Sequence, residues 1–124
     1  MKIINTKKAP QAIGPYSQAK VIGNLVFTSG QIPLKPDGTL VTESFEKESI
    51  QVLDNINEVL KASGSNINNI IKLTVYLTDL ENFSILNKVF EKYFDDFPAR
   101  STVQVSGLPK NSRVEIEAIG YIDV

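Results

Sequence analysis

The stretch Ile70-Ile71-Lys72-Leu73-Thr74-Val75-Tyr76-Leu77 alternates with period two, with Ile71, Leu73, Val75 and Leu77 on one face and Lys72, Thr74 and Tyr76 on the other. It predicts a strand, and it stands between two segments of helical period. From about Ser44 to Ser63, apolar residues recur at Phe45, Val52, Leu53, Ile56, Val59 and Leu60, and Gly64 falls where a left-handed cap would end a helix. On the other side, Thr78-Asp79-Leu80-Glu81 reads as a capping box, and Phe83, Leu86, Phe90, Tyr93 and Phe94 continue at helical spacing until Pro98. Each helix is long enough to cross over between parallel strands.

Lys20-Val21-Ile22 and Leu25-Val26-Phe27-Thr28, joined by Gly23-Asn24, predict a hairpin. The prolines and Asp37-Gly38 of residues 31–38 predict a loop. Two last strands are expected near Arg100 to Val105 and Arg113 to Ile122, separated by the loop at Gly107-Leu108-Pro109-Lys110-Asn111. The order is hairpin, helix, strand, helix, strand, strand, an α+β pattern for one domain over residues 1–124. Two helices cover one sheet face, yet in the last strand Val114, Ile116 and Ala118 point one way and Ile119 and Tyr121 the other. With both faces apolar, the uncovered one should bury against another copy of the chain, leaving clefts between subunits.

The chain contains no histidine and no cysteine, which removes Ser-His-Asp triads, thiolate nucleophiles and nearly all zinc sites. A formal net charge of −1 gives no footprint for nucleic-acid phosphates. The N-terminus lacks the apolar core of a signal peptide, and no apolar run is long enough to span a bilayer. Together with the missing cysteines, this predicts a cytoplasmic protein with neither membrane nor nucleic acid as a partner.

Arg100, in Phe97-Pro98-Ala99-Arg100-Ser101, is one of only two arginines and opens a strand after a proline turn. It is a candidate for a bidentate grip on a substrate carboxylate, the alternative being a salt bridge at a strand end. Arg113-Val114-Glu115-Ile116-Glu117 sets two carboxylates on one strand face, roughly 7 Å apart. They form either a solvated face or, if buried between subunits near Arg100, a place for a general base. Asn87 interrupts an apolar helix face and must pack or line a cavity. The segments Gly14-Pro15-Tyr16-Ser17-Gln18 and Thr28-Ser29-Gly30-Gln31 can present backbone N–H groups and hydroxyls to a ligand, or serve only as turns. Asp95-Asp96 lacks a third ligand and makes no metal site. The chain has no phosphate-binding glycine pattern.

Taken together, Gly14-Pro15-Tyr16-Ser17-Gln18-Ala19, Phe27-Thr28-Ser29-Gly30-Gln31-Ile32-Pro33, Thr74-Val75-Tyr76-Leu77-Thr78-Asp79, Phe97-Pro98-Ala99-Arg100-Ser101 and Glu115-Ile116-Glu117-Ala118-Ile119 resemble the RidA (YjgF) reactive-intermediate deaminases, in order over essentially the whole chain. The resemblance implies a chorismate-mutase-like α+β fold, a homotrimer with sheets facing inward, and clefts between subunits. It implies hydrolysis of 2-aminoacrylate, 2-iminopropanoate and 2-iminobutanoate to 2-oxo acids and ammonia, without cofactor or metal. By position it makes Arg100 the carboxylate anchor and Glu115 the residue that positions water. Tyr16 (from a neighbouring subunit), Ser29, Gly30, Asn87 and Thr102 match substrate-binding positions. Thr102 stands where many members have cysteine, which is tolerable if that position acts through its backbone.

Two rivals compete with the deaminase. A non-catalytic module could use the same cleft to sense small carboxylates, since an anion-binding arginine serves both roles. Ribonuclease activity, reported for some relatives of the family, is hard to reconcile with near-neutral charge and the absence of histidine.

Overall fold

The structure is a computed structural model that describes residues 1–123. Six strands form one sheet, β1 (Lys2–Ile4), β2 (Ala19–Ile22), β3 (Leu25–Thr28), β4 (Ile70–Leu77), β5 (Ala99–Gln104) and β6 (Val114–Tyr121), in the order β1-β2-β3-β6-β4-β5. Helix α1 (Phe45–Ala62) joins β3 to β4, and α2 (Phe83–Tyr93) joins β4 to β5. β4 and β5 are parallel neighbours. β6 runs antiparallel to both β3 and β4 and fills the space that the α1 crossover leaves between them.

Local chemistry fixes the ends of α1. The Ser44 hydroxyl accepts from the Lys47 N–H at 3.1 Å, and Glu46 and Glu48 occupy the first turn, where the helix dipole favours acids. At the other end Gly64 takes φ +91°, so that the Ser65 N–H reaches the Leu60 carbonyl at 2.8 Å and that of Gly64 reaches Lys61 at 3.0 Å. Val52, Leu53, Ile56, Val59 and Leu60 of α1 and Leu86, Val89 and Phe90 of α2 bury against Leu73, Val75, Leu77, Val114, Ile116 and Ala118. Burial of these side chains, worth about 1.5–3 kcal/mol each, holds both helices on one face of the sheet.

Three expectations need correction. The Thr78–Glu81 segment is not a capping box: the Asp79 carboxylate accepts from the Glu81 N–H at 2.9 Å and closes a 3₁₀ turn over Leu80–Asn82, and α2 begins only at Phe83. Asp79 captures its own downstream backbone before Thr78 can act as a cap. Ile71 does not join the core; a register shift between Ile70 and Lys72 leaves it 45% exposed and puts Ile70 inside instead. A further strand, β1, precedes the hairpin and pairs with β2. Three residues are too few to show a period.

Among the described residues the second sheet face carries no helix. Phe27, Val103 and Tyr121 lie on it, 44%, 44% and 36% exposed, beside Glu115, Glu117 and Ile119.

Candidate active site

Arg100 starts the edge strand β5, directly opposite Leu73 of β4, so it lies on the helix-covered side of the sheet. There α2 presents Phe83, Asn87 and Phe90, spaced four and three residues apart and therefore on one helix face. The Arg100 guanidinium carbon sits 5.1 Å from the ring centroids of both Phe83 and Phe90. Two aromatic faces hold the cation in place while leaving the edges of its fork open for hydrogen bonds. Among the described residues no carboxylate forms an ion pair with it. Burial pulls the Arg100 pKa downward from its ordinary value. Asn87, Phe90, Glu91, Phe97 and Pro98 complete a cleft of about 290 Å³ around Arg100.

Thr102 follows two residues later on the same face of β5, opposite Val75. Its hydroxyl oxygen is buried and has no partner among the described residues. Thr102 does not line the Arg100 cleft.

Glu115 occupies a different place. It lies opposite Tyr76 on the uncovered face, half-buried in the wall of a cavity of about 470 Å³. Tyr16, Ser29, Gly30 and Lys110 line the same cavity. Burial, and then the neighbouring Glu117 charge, raise the Glu115 pKa above the usual glutamate value.

The loop beside Glu115 is pinned from both sides. Gln31 and Ile116 exchange backbone hydrogen bonds at 2.8 and 3.0 Å, the Ser29 hydroxyl donates to the Ser17 carbonyl at 2.6 Å, and the Ser29 N–H donates to the Gln18 carbonyl at 2.9 Å. Gly30 is thereby pressed against the carboxylate. A Cβ there would stand 2.6 Å from Glu115 Oε2, a separation that real side chains do not show. Tyr16, 51% exposed, closes one side of the cavity, and its hydroxyl oxygen accepts from the Ile13 N–H at 3.2 Å.

The predicted residues thus fall into two groups. Arg100 and Asn87 share one cleft, and Tyr16, Ser29, Gly30 and Glu115 share the other. Arg100 is two strands and three rows from Glu115, roughly 14 Å between backbones at ordinary strand spacings, and the two side chains lie on opposite sheet faces. They do not meet within one chain.

Other contributors escape a sequence reading. Gln18, 3% exposed, accepts from the Thr6 N–H at 2.7 Å and donates to the Thr6 and Pro10 carbonyls at 3.0 and 2.8 Å, which fastens the N-terminal segment as a cavity wall. Phe83 and Phe90 read as core residues, although their shared face with the polar Asn87 is the signal that could have marked them. Lys110 reaches the Glu115 cavity from a loop where it and Asn111 hold left-handed backbone, φ 56° and 55°.

Comparison with known proteins agrees over the whole fold. The chain is 50% identical to a 2-iminobutanoate/2-iminopropanoate deaminase of Bos taurus, across 95% of this chain and 88% of that one. Its structure matches the crystal structure of RidA from the Antarctic bacterium Psychrobacter sp. with a TM-score of 0.94 and 44% identity, covering 98% of this chain and 100% of that one. It also matches E. coli TdcF, crystallised with bound serine, with a TM-score of 0.95 and 42% identity over 99% of this chain and 100% of that one. The family model described as endoribonuclease L-PSP matches residues 6–122. With that match, and with relatives of this similarity over nearly its full length, the chain belongs to the endoribonuclease L-PSP family, also known as the YjgF/RidA family.

Proposed function

We propose that this protein is a hydrolytic deaminase of short 2-imino and 2-amino-enoic acids, releasing 2-oxo acids and ammonia in the cytoplasm, and that its active site forms only where two copies of the chain meet. The observation that carries this reading is the Arg100 guanidinium, held between two phenyl rings with no protein carboxylate against it among the described residues. A cation prepared in this way suits a small carboxylate. Relatives named as imino-acid deaminases and a neighbour crystallised with serine support that substrate class.

A homotrimer with its sheets facing inward would bury Phe27, Ile119 and Tyr121. It would also bring β5 of one subunit, with Arg100 and Thr102, and Asn87 of its α2 to the Tyr16, Ser29, Gly30 and Glu115 cavity of the next. Residues 1–124 would act as one domain in that assembly. The separation of the two clefts within a single chain supports this division of labour, in which Arg100 and Glu115 come to one site from different subunits.

In the proposed reaction Arg100 holds the substrate carboxylate and aims C2 at the opposite half-site. An enamine substrate first becomes the imine by gaining a proton at C3 and losing one from nitrogen. Glu115 then takes a proton from water as the water oxygen bonds to C2, the C=N π pair moves to nitrogen and Glu115 returns the proton to it, giving a tetrahedral carbinolamine. Glu115 next carries the carbinolamine hydroxyl proton to nitrogen, the C–N bond breaks, ammonia leaves and a C2 carbonyl remains. The imine is already electrophilic, so orientation plus general base assistance of about 10²–10⁴-fold is sufficient help. Neither histidine nor cysteine is required.

The deciding experiment supplies freshly generated 2-aminoacrylate and follows pyruvate and ammonia. The wild-type protein should accelerate release, and Arg100→Ala should abolish that acceleration without changing the assembly. Near-normal turnover in Arg100→Ala would overturn the assignment. Binding of a 2-oxo acid without turnover, indifferent to Glu115→Ala, would establish a carboxylate-binding module instead.

A further inference from the structure

Glu115 has a neighbour that the reaction scheme leaves unused. Tyr76 of β4 lies directly opposite Glu115 in the antiparallel register, so that the two side chains stand side by side on the uncovered face. Its long side chain reaches the diagonal neighbour, and the hydroxyl donates to Glu117 Oε1 at 2.9 Å. Hydrogen bonding to Glu117 is also the main reason that the Tyr76 pKa is raised, whereas Glu115 is raised by burial and then by the Glu117 charge. Glu117 therefore holds the hydroxyl of the side chain that faces Glu115 across the strand pair.

We infer that Tyr76 and Glu117 are positioning residues for the proposed reaction: the Tyr76 hydroxyl anchors the Glu117 carboxylate on the Glu115 side of the sheet, leaving the Glu115 oxygens free for water and setting a fixed negative charge beside them. This rests on Glu115 being the base. The anchored charge lies roughly 7 Å along the strand. Its repulsion adds to burial in disfavouring ionised Glu115, which strengthens Glu115 as a proton acceptor.

The other polar groups near Glu115 do not supply this effect. From the loop before β6, Lys110 lines the cavity and would oppose it. Tyr16 lies across the cavity and holds the Ile13 N–H. Lys72, next but one before Tyr76 on the same face of β4, lies opposite Ile119, farther along β6 than Glu117. From the facing loop, Gly30 offers only backbone. In the proposed trimer Arg100 of the neighbouring chain is engaged by the substrate carboxylate.

Three variants separate charge from hydrogen bonding. Glu117→Gln keeps an acceptor for Tyr76 and removes the charge, so the acidic limb of the kcat/KM profile should move to lower pH by roughly 0.5–1.5 units. Glu117→Ala frees the Tyr76 hydroxyl to turn to Glu115, so the limb should move further and kcat/KM should fall about tenfold or more. Adding Tyr76→Phe to Glu117→Ala should restore most of that loss, which a merely structural role would not do. A parallel titration of the ¹³C-labelled Glu115 carboxyl by NMR reads the same coupling without turnover. An unchanged Glu115 titration in Glu117→Gln, or no rescue in the double variant, overturns the inference. Absence of turnover in the wild type would defeat the deaminase reading alone, with the NMR titration still deciding whether the pair acts on Glu115.

Discussion

Gly30 and Glu115 are packed so closely that a methyl group on residue 30 would lie 2.6 Å from Oε2 and 2.8 Å from the carboxyl carbon. The bridge between Gln31 and Ile116 ties the loop to β6 immediately beside this contact, so the loop cannot yield easily. Gly30→Ala should therefore move the carboxylate rather than the backbone. A displacement near 1 Å predicts a fall in kcat/KM of about 10²-fold with an unchanged circular dichroism spectrum. Retained activity would show that the carboxylate position is not critical.

The separation of Arg100 from Glu115 predicts complementation. Arg100→Ala and Glu115→Ala should each be inactive alone. Unfolded together and refolded as a mixture, they should regain roughly a quarter of wild-type turnover, because random assembly pairs an intact Arg100 half with an intact Glu115 half at about one interface in four. No recovery in a mixture shown to contain hybrid trimers would place both residues in a single-chain site.

The second arginine serves the fold. Arg113 grips Glu48 with two nitrogens, Nε to Oε1 at 3.2 Å and the terminal Nη2 to Oε2, and lies 5.5 Å from the Phe45 ring. Glu48 is only 4% exposed, so Arg113→Ala would leave a carboxylate buried without its partner. After allowance for the 45% exposure of Arg113, the loss should be about 2 kcal/mol in chemical denaturation. Arg113→Lys should lose less, since it keeps the charge and gives up only the bidentate geometry.

Glu115 is expected to weaken the fold it serves. Its carboxyl is more basic in the folded chain than the ordinary value of 4.5, chiefly because burial penalises the charge. A group of this kind favours the folded state at pH values below the unfolded pKa and loses that contribution as pH rises through the folded pKa. Glu115→Gln should consequently raise Tm at pH 7, by the equivalent of about 1 kcal/mol or less given the group's solvent exposure. The gain should shrink as the pH falls through the raised folded pKa and be largely gone below 4.5. An equal gain at both pH values would remove ionisation as the cause.

Much of the fold was legible because its periods are local. The alternation from Ile70 to Leu77, the helical spacing from Phe45 to Leu60 and the Gly64 cap depend on neighbours a few residues away, and strand, helix and cap lie where those patterns put them. The failures have equally local causes: an Asx turn at Asp79 displaced the expected cap, and a register shift turned Ile71 outward.

By itself the sequence determined the inventory of chemistry: two arginines, paired acids on one strand face, and neither histidine nor cysteine. It marked Arg100 and Glu115 as residues worth following, because strand parity and residue type are properties of the chain. Only the tertiary structure decided that the two belong to separate clefts on opposite faces of the sheet. That outcome depends on β6 inserting between β3 and β4 while β5 takes the edge, a choice made by long-range strand pairing and helix packing that no local period encodes.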